Sequence, residues 1–139
     1  MIEMHIRKYI DSDKSDVMLL WDTCGLIVPG SDYERDIRKK MAFQPELFFV
    51  GKIDGKIAGT VMVGYDGRRG WLNCLSVHPD LQKKGYGRQL VEFGISKLKE
   101  LGCAKVNIQV RKTNLGVISF YEKRGFATDN VVSLGKKLE

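Results

Sequence analysis

The sequence predicts a mixed α/β domain in which a mostly antiparallel sheet of six to seven strands carries about four helices on its faces, in the order β-α-α-β-β-β-α-β-α-β-β. Three observations lead there. Residues 47–77 hold three consecutive runs rich in β-branched and aromatic residues, separated by the turn sequences Asp54-Gly55 and Asp66-Gly67-Arg68-Arg69-Gly70, so neighbouring strands run antiparallel. Residues 87–101 place Leu90, Val91, Gly94, Ile95, Leu98 and Leu101 at helical spacing. A further strand, helix and strand pattern follows, an order unlike that of doubly wound nucleotide-binding sheets.

Each element has a local signal. His5 to Tyr9 reads as a first strand. Asp11-Ser12 opens a helix with Val17, Leu20, Trp21 and Cys24 on one face, closed by Gly25. After a loop with Pro29 and Gly30, Ser31-Asp32-Tyr33-Glu34 has capping-box spacing and starts a short polar helix that Pro45 stops. Leu47 to Ile53, Lys56 to Tyr65 and Trp71 to Val77 are the three consecutive strands, the last ended by His78-Pro79. Gly102 ends the helix that follows, and Lys105 to Val110 alternates as a strand. Asn114 caps a helix running to Arg124 and Gly125. Phe126 onward, with Val131-Val132-Ser133-Leu134, reads as terminal strands.

At 139 residues the chain fits one domain spanning 1–139, with no linker, repeat or low-complexity stretch. No basic segment followed by an apolar stretch opens the sequence, and no apolar run approaches spanning length, so a cytoplasmic protein is expected. Three widely spaced cysteines, Cys24, Cys74 and Cys103, form no Cys-x-x-Cys pair and read as reduced thiols rather than a disulfide framework or a metal site. Cys74 can be read as a nucleophile or as a small core hydrophobe, the second being commoner on a strand. Residues 1–66 carry nine Lys/Arg against eleven Asp/Glu, whereas residues 67–139 carry fourteen against six. The carboxyl-terminal half therefore attracts polyanions. Nucleic acid is disfavoured among them, because the basic residues come as scattered pairs without interleaved aromatics or a known binding motif.

The stretch Gln82-Lys83-Lys84-Gly85-Tyr86-Gly87 lies between a strand and the helix over 87–101. Main-chain N–H groups at a helix start lack partners and sit at the positive end of the helix dipole, and glycines admit close approach, so the stretch is a phosphate-site candidate. It matches neither the mononucleotide P-loop nor the three-glycine dinucleotide pattern. A glycine turn that merely begins a helix is the plain alternative.

The element order, Gln82-x-x-Gly85-x-Gly87 after the fourth strand, and Asn114 through Phe120-Tyr121-Glu122-Lys123-Arg124-Gly125-Phe126 together resemble the GCN5-related N-acetyltransferase (GNAT) superfamily over nearly the whole chain. The resemblance implies an acetyl-CoA-dependent N-acetyltransferase that moves the acetyl group to a primary amine by direct attack. It implies that the CoA pyrophosphate meets main-chain N–H groups of Gln82, Lys83, Lys84, Gly85, Tyr86, Gly87 and Arg88. The pantetheine arm would run along Leu75, Ser76 and Val77, with the Leu75 N–H polarising the thioester carbonyl. Asn114 would contact the CoA arm and Tyr121 would act as general acid toward the departing thiolate, although core packing and simple helix capping also explain these two residues. No metal is implied.

The fourth strand departs from many relatives in offering no carboxylate as base, only Asn73, Cys74 and Ser76. Glu34, Asp32, His78 or a water chain from Asn73 or Ser76 are the alternatives, and the base stays unassigned. Two other functions fit parts of the pattern: a catalytically weak acyl-CoA-binding regulatory module and a basic nucleic-acid-binding domain. The amine acceptor, either a small molecule or a protein amino terminus or lysine, would lie near Cys24 to Arg38, where Asp32, Glu34 and Asp36 attract a cation. A monomer and a homodimer joined through the terminal strands are both compatible with the sequence.

Overall fold

A computed structural model describes residues 2–139. The chain falls into two compact units, the first ending at Gln109 and the second comprising Val110–Glu139. The first holds β1 (His5–Lys8), α1 (Lys14–Thr23), α2 (Tyr33–Phe43), β2 (Phe48–Ile53), β3 (Lys56–Tyr65), β4 (Gly70–Val77), α3 (Tyr86–Glu100) and β5 (Val106–Asn107), and the second holds α4 (Leu115–Glu122). The strands form one sheet in chain order, antiparallel throughout except for the parallel β4–β5 pair.

Local chemistry explains the connections. Asp54 and Gly55 both have positive φ, at 50° and 76°, the geometry of the two-residue turn whose twist matches a hairpin, and they close β2 onto β3. Asp66 Oδ1 accepts from the N–H groups of Arg68 (2.8 Å) and Arg69 (2.7 Å), which folds the β3–β4 loop. The buried Asp13 carboxylate accepts from Ile10 N–H and from both terminal nitrogens of Arg7, at 2.7–2.9 Å, and so ties β1 to the turn that begins α1. The cap of α2 is Asp32, whose side chain accepts from Arg35 N–H at 3.0 Å, one residue beyond the Ser31 start that the sequence suggests.

Period-2 alternation sends side chains to two cores. Phe48, Val50 and Met62 face α1 and α2 and cluster with Tyr9, Val17, Trp21 and Ile37. The intervening residues face α3, where Phe93 meets Phe49 edge-on at 4.8 Å and Gly94 lies against Leu72, Val63 and Val61. A side chain at position 94 would crowd Leu72, so the glycine lets α3 settle close to the sheet.

Two strand expectations require correction. The run Lys105 to Val110 is a strand only at Val106–Asn107, and no strand follows α4 among the described residues, so the sheet has five strands rather than six to seven. Val131, Val132 and Leu134 are 76%, 83% and 91% exposed. Their β-branched pattern records a preference for extended backbone, which does not by itself supply a ladder partner. The terminal strands that a homodimer would use are therefore not formed among the described residues.

Candidate active site

β4 is irregular where it matters. Thr60 pairs with Ser76 and Met62 pairs with Asn73, so Cys74 and Leu75 together oppose Val61. This is a β-bulge, and its first residue, Cys74, sits at φ 51° in the left-handed region that glycine usually fills. A non-glycine residue there costs about 1–2 kcal/mol, which other contacts must offset. A buried network is attached to it: Trp21 Nε1 donates to Thr60 Oγ1 at 2.9 Å, Thr60 Oγ1 lies 2.7 Å from the Cys74 carbonyl oxygen, and Ser76 Oγ lies 2.7 Å from Thr60 Oγ1. Thr60 and Trp21 carry no sequence motif. The available signal is a hydroxyl residue in the middle of the apolar run from Ile57 to Val63.

Ahead of the bulge, the ladder between β4 and its parallel neighbour ends. β5 pairs with β4 only at Gly70–Val106 and Trp71–Asn107, so β4 from Leu72 to Val77 has no β5 ladder partner. The main chain of Leu75, Ser76 and Val77 thus borders a strand edge without a ladder partner, although the Val77 carbonyl accepts from Gln82 Nε2 and Cys24 Sγ and the Ser76 side chain is buried and turned to Thr60. An open edge of this kind is where an extended ligand with amide groups adds as a strand.

The end of β4 leads directly into the glycine loop. His78 Nδ1 accepts from Asp80 N–H at 3.1 Å in a tight turn over Pro79–Leu81, and Gln82 Nε2 reaches back to the Val77 carbonyl at 3.0 Å. Lys83 and Gly85 then take positive φ, 62° and 91°. Gly85 occupies the cap position of α3 and provides no side-chain acceptor, while the first intrahelical bond runs from Gln89 N–H to the Gly85 carbonyl at 3.1 Å. The N–H groups of Tyr86, Gly87 and Arg88 therefore lie at an uncapped helix start. Lys83, Lys84 and Arg88 are exposed around it, Arg88 in an exposed pair with Glu92 at 2.9 Å that is worth only a few tenths of a kcal/mol. The Tyr86 side chain points inward, 2% exposed, and its hydroxyl donates to the Ile2 carbonyl, so only the main chain of Tyr86 is left to serve the loop.

In the second unit Asn114 Oδ1 accepts from Val117 N–H at 3.3 Å and caps α4. Tyr121 is buried, with Phe120 and Phe126 edge-on at 5.1 Å and 5.2 Å, and burial pushes its hydroxyl up to about 12. The sequence-predicted residues therefore divide: Leu75 to Val77 and Gln82 to Arg88 are contiguous in the first unit, while Asn114 and Tyr121 belong to the second.

Most base candidates are committed elsewhere. Glu34 pairs with Lys14 at 3.2 Å, Asp32 caps α2, and His78 Nδ1 holds its own turn. Ser76 is 5% exposed and bonded inward, which makes it a poor terminus for a water chain, whereas Asn73 is exposed. Burial, with a smaller contribution from the negative charge of Asp36, pushes the Cys74 thiol up to about 12. A thiol held there is protonated at neutral pH, so Cys74 is a packing residue and not a nucleophile. Among the described residues no group of three His, Cys, Asp or Glu could hold a metal ion, and no helix is long and apolar enough to cross a membrane.

In this chain a strand end without a β5 partner runs straight into an uncapped helix start. The sequence profile of the Acetyltransferase (GNAT) family matches residues 15–126, and the chain belongs to that family. It is 44% identical over 135 residues to acetyltransferase YE1169 of Yersinia enterocolitica, covering 97% of this chain and 96% of that one. The ribosomal-protein-S18-alanine N-acetyltransferase of Escherichia coli superposes with a TM-score of 0.78 at 25% identity, covering 92% of this chain and 80% of that one. Glucosamine-6-phosphate N-acetyltransferase of Arabidopsis thaliana gives a TM-score of 0.71 at 27% identity, covering 99% of each chain.

Proposed function

We propose that this protein transfers the acetyl group of acetyl-CoA to a primary amine by direct attack, in the cytoplasm, and that residues 1–139 act as one acetyltransferase domain. The observation that carries this reading is the continuity of the open β4 edge with the uncapped start of α3, a path suited to a chain of amides ending in a pyrophosphate. Main-chain groups of Leu75, Ser76 and Val77 would take the pantetheine arm. N–H groups from Gln82 to Arg88 would take the pyrophosphate, and the Leu75 N–H would stabilise the negative charge that develops on the acyl oxygen. Asn114 would cap α4 and contact the CoA arm as well.

The neutral amine nitrogen attacks the thioester carbonyl, the carbon–sulfur bond breaks, and the amide, CoA thiolate and one proton, passed from the nitrogen to water, are the products. An ordinary primary amine has a pKa near 10.4, so freeing its lone pair at pH 7 costs roughly 4–5 kcal/mol. Desolvation by the site and a base reached through water, such as a chain from Asn73, would lower that cost. The leaving thiolate, with a pKa of about 8.5 by analogy with cysteine, departs with modest help. Tyr121, held near 12, is a weaker acid than the CoA thiol by roughly 3–4 units. We assign it a hydrogen bond to the departing sulfur rather than a completed proton transfer, a role that rests on the family pattern.

Acceptors of two kinds are supported by the relatives: the names of the two neighbours above specify an alanine of ribosomal protein S18 and glucosamine 6-phosphate, respectively. The absence of a carboxylate on β4 favours a second reading, an acyl-CoA-binding regulatory module without turnover. Calorimetric CoA binding combined with thiol release on a panel of amines separates the two. Binding with acceptor-dependent release supports the transferase, and binding with no release on any amine or peptide supports the module.

A further inference from the structure

Trp21 and Thr60 are both 0% exposed and lie outside the residues assigned to donor or acceptor, yet their hydrogen bonds end on the β4 bulge. A threonine hydroxyl has one proton and two acceptor sites. Trp21 Nε1 fills one acceptor site and Ser76 Oγ, 2.7 Å away, fills the other as donor, which leaves the single Thr60 proton for the Cys74 carbonyl at 2.7 Å. Every polar atom of the network is then satisfied and its direction is fixed. We propose that Thr60, braced by Trp21, is a positioning residue for acetyl transfer: by holding the Cys74 carbonyl it aims the Leu75 N–H at the acyl oxygen.

The peptide plane carries this argument. The Cys74 carbonyl and the Leu75 N–H belong to one planar trans peptide unit, so they point in opposite directions and cannot be turned independently. Thr60 lies on the same sheet face as Met62, the face covered by α1 and α2, so a carbonyl held toward Thr60 sends the Leu75 N–H away from that face's core. The ordinary ladder cannot do this, because Cys74 and Leu75 share the single opposing residue Val61. Cys74 holds a left-handed φ that a non-glycine residue disfavours, and the Thr60 bond to its carbonyl helps to retain it. The inference rests on the transferase reading above.

The test compares wild type, Thr60→Val, which keeps the shape and removes the hydroxyl, Thr60→Ser, which restores the hydroxyl, and Trp21→Phe, which keeps a ring and removes the donor. Acetyl-CoA is used with whichever of spermidine, glycinamide and an alanine-terminated peptide the wild type acetylates fastest. For Thr60→Val the expected result is a fall in kcat of about 10- to 100-fold, with the Kd of CoA within about twofold of wild type, because the donor is misdirected rather than removed. Thr60→Ser is expected to recover kcat to within about threefold, and the amide resonance of Leu75 to move in Thr60→Val and return in Thr60→Ser. Unchanged kcat in Thr60→Val, or loss of kcat and CoA binding together without rescue by serine, overturns the proposal. If Thr60→Val does not fold, Trp21→Phe decides: a fall in kcat at unchanged CoA Kd supports the proposal and an unchanged kcat overturns it. If the wild type acetylates none of the three amines, acetyl transfer to these acceptor classes fails and the positioning role falls with it, whereas an active wild type beside an equally active Thr60→Val removes the positioning role alone.

Discussion

Tyr121 and Lys40 show how burial sets the chemistry of single residues. With its hydroxyl pushed up to about 12, Tyr121 stays protonated through the whole physiological range. Under the role proposed for Tyr121, replacement by phenylalanine would remove one hydrogen bond to the leaving group, so kcat should fall about 10- to 100-fold with CoA affinity unchanged, a split read from steady-state kinetics and calorimetry. Lys40 Nζ donates to the Val63 carbonyl and to Gln44 Oε1 (3.1 Å), and burial lowers its ammonium to about 8. The unfolded chain holds that proton up to its ordinary value near 10.5, so between about pH 8 and 10.5 the unfolded state binds more protons and stability rises with pH. Relative to Lys40→Met, the wild type should gain about 1–2 kcal/mol across that window after discounting for partial exposure, measured by urea unfolding at stepped pH. Legibility in the sequence was uneven at this scale. The glycine loop and the Asn114 cap announce themselves through local chemistry, whereas Thr60 is bonded to Trp21, 39 positions away, and the αL geometry of Cys74 lacks the glycine that would have flagged it.

Among the elements, those with a strong local code were readable. Asp54-Gly55 fixes the β2–β3 hairpin, the apolar spacing of α3 matches its packing on β3 and β4, and Gly102 ends that helix with φ 80°. What failed was pairing. Val131 to Leu134 has strand composition but no ladder in the described residues, and β5 is only Val106–Asn107, its pairing with β4 ending at Trp71. Neither fact has a local signal, since both depend on where another strand lies. The close approach of β3 to β4 beside the bulge is testable through Gly59, where a Cβ would stand 2.7 Å from the Ser76 carbonyl oxygen and 2.9 Å from Leu90 Cδ1. The carbonyl belongs to the backbone and cannot rotate aside, so Gly59→Ala should destabilise the fold by about 1–3 kcal/mol. Urea unfolding with an unchanged m-value would show it, and a wild-type midpoint would mean that β4 yields more easily than its buried network implies.

For the whole molecule, the family match over residues 15–126 and the 44% identity to an acetyltransferase fix the class, while acetyl-CoA as donor and an amine as acceptor are the proposal to be tested. The excess of basic residues in the carboxyl-terminal half suits a phosphate-bearing donor, and Lys83, Lys84 and Arg88 surround the helix start that would receive it. The most direct measurement is acceptor-dependent turnover of acetyl-CoA by the full chain, followed by thiol release and by the mass of the product, across small amines and amino-terminal peptides. The account predicts stoichiometric thiol release and a gain of one acetyl group, about 42 Da, on an amine nitrogen of at least one acceptor, obtained without added metal. Tight CoA binding with no product on any acceptor would contradict it.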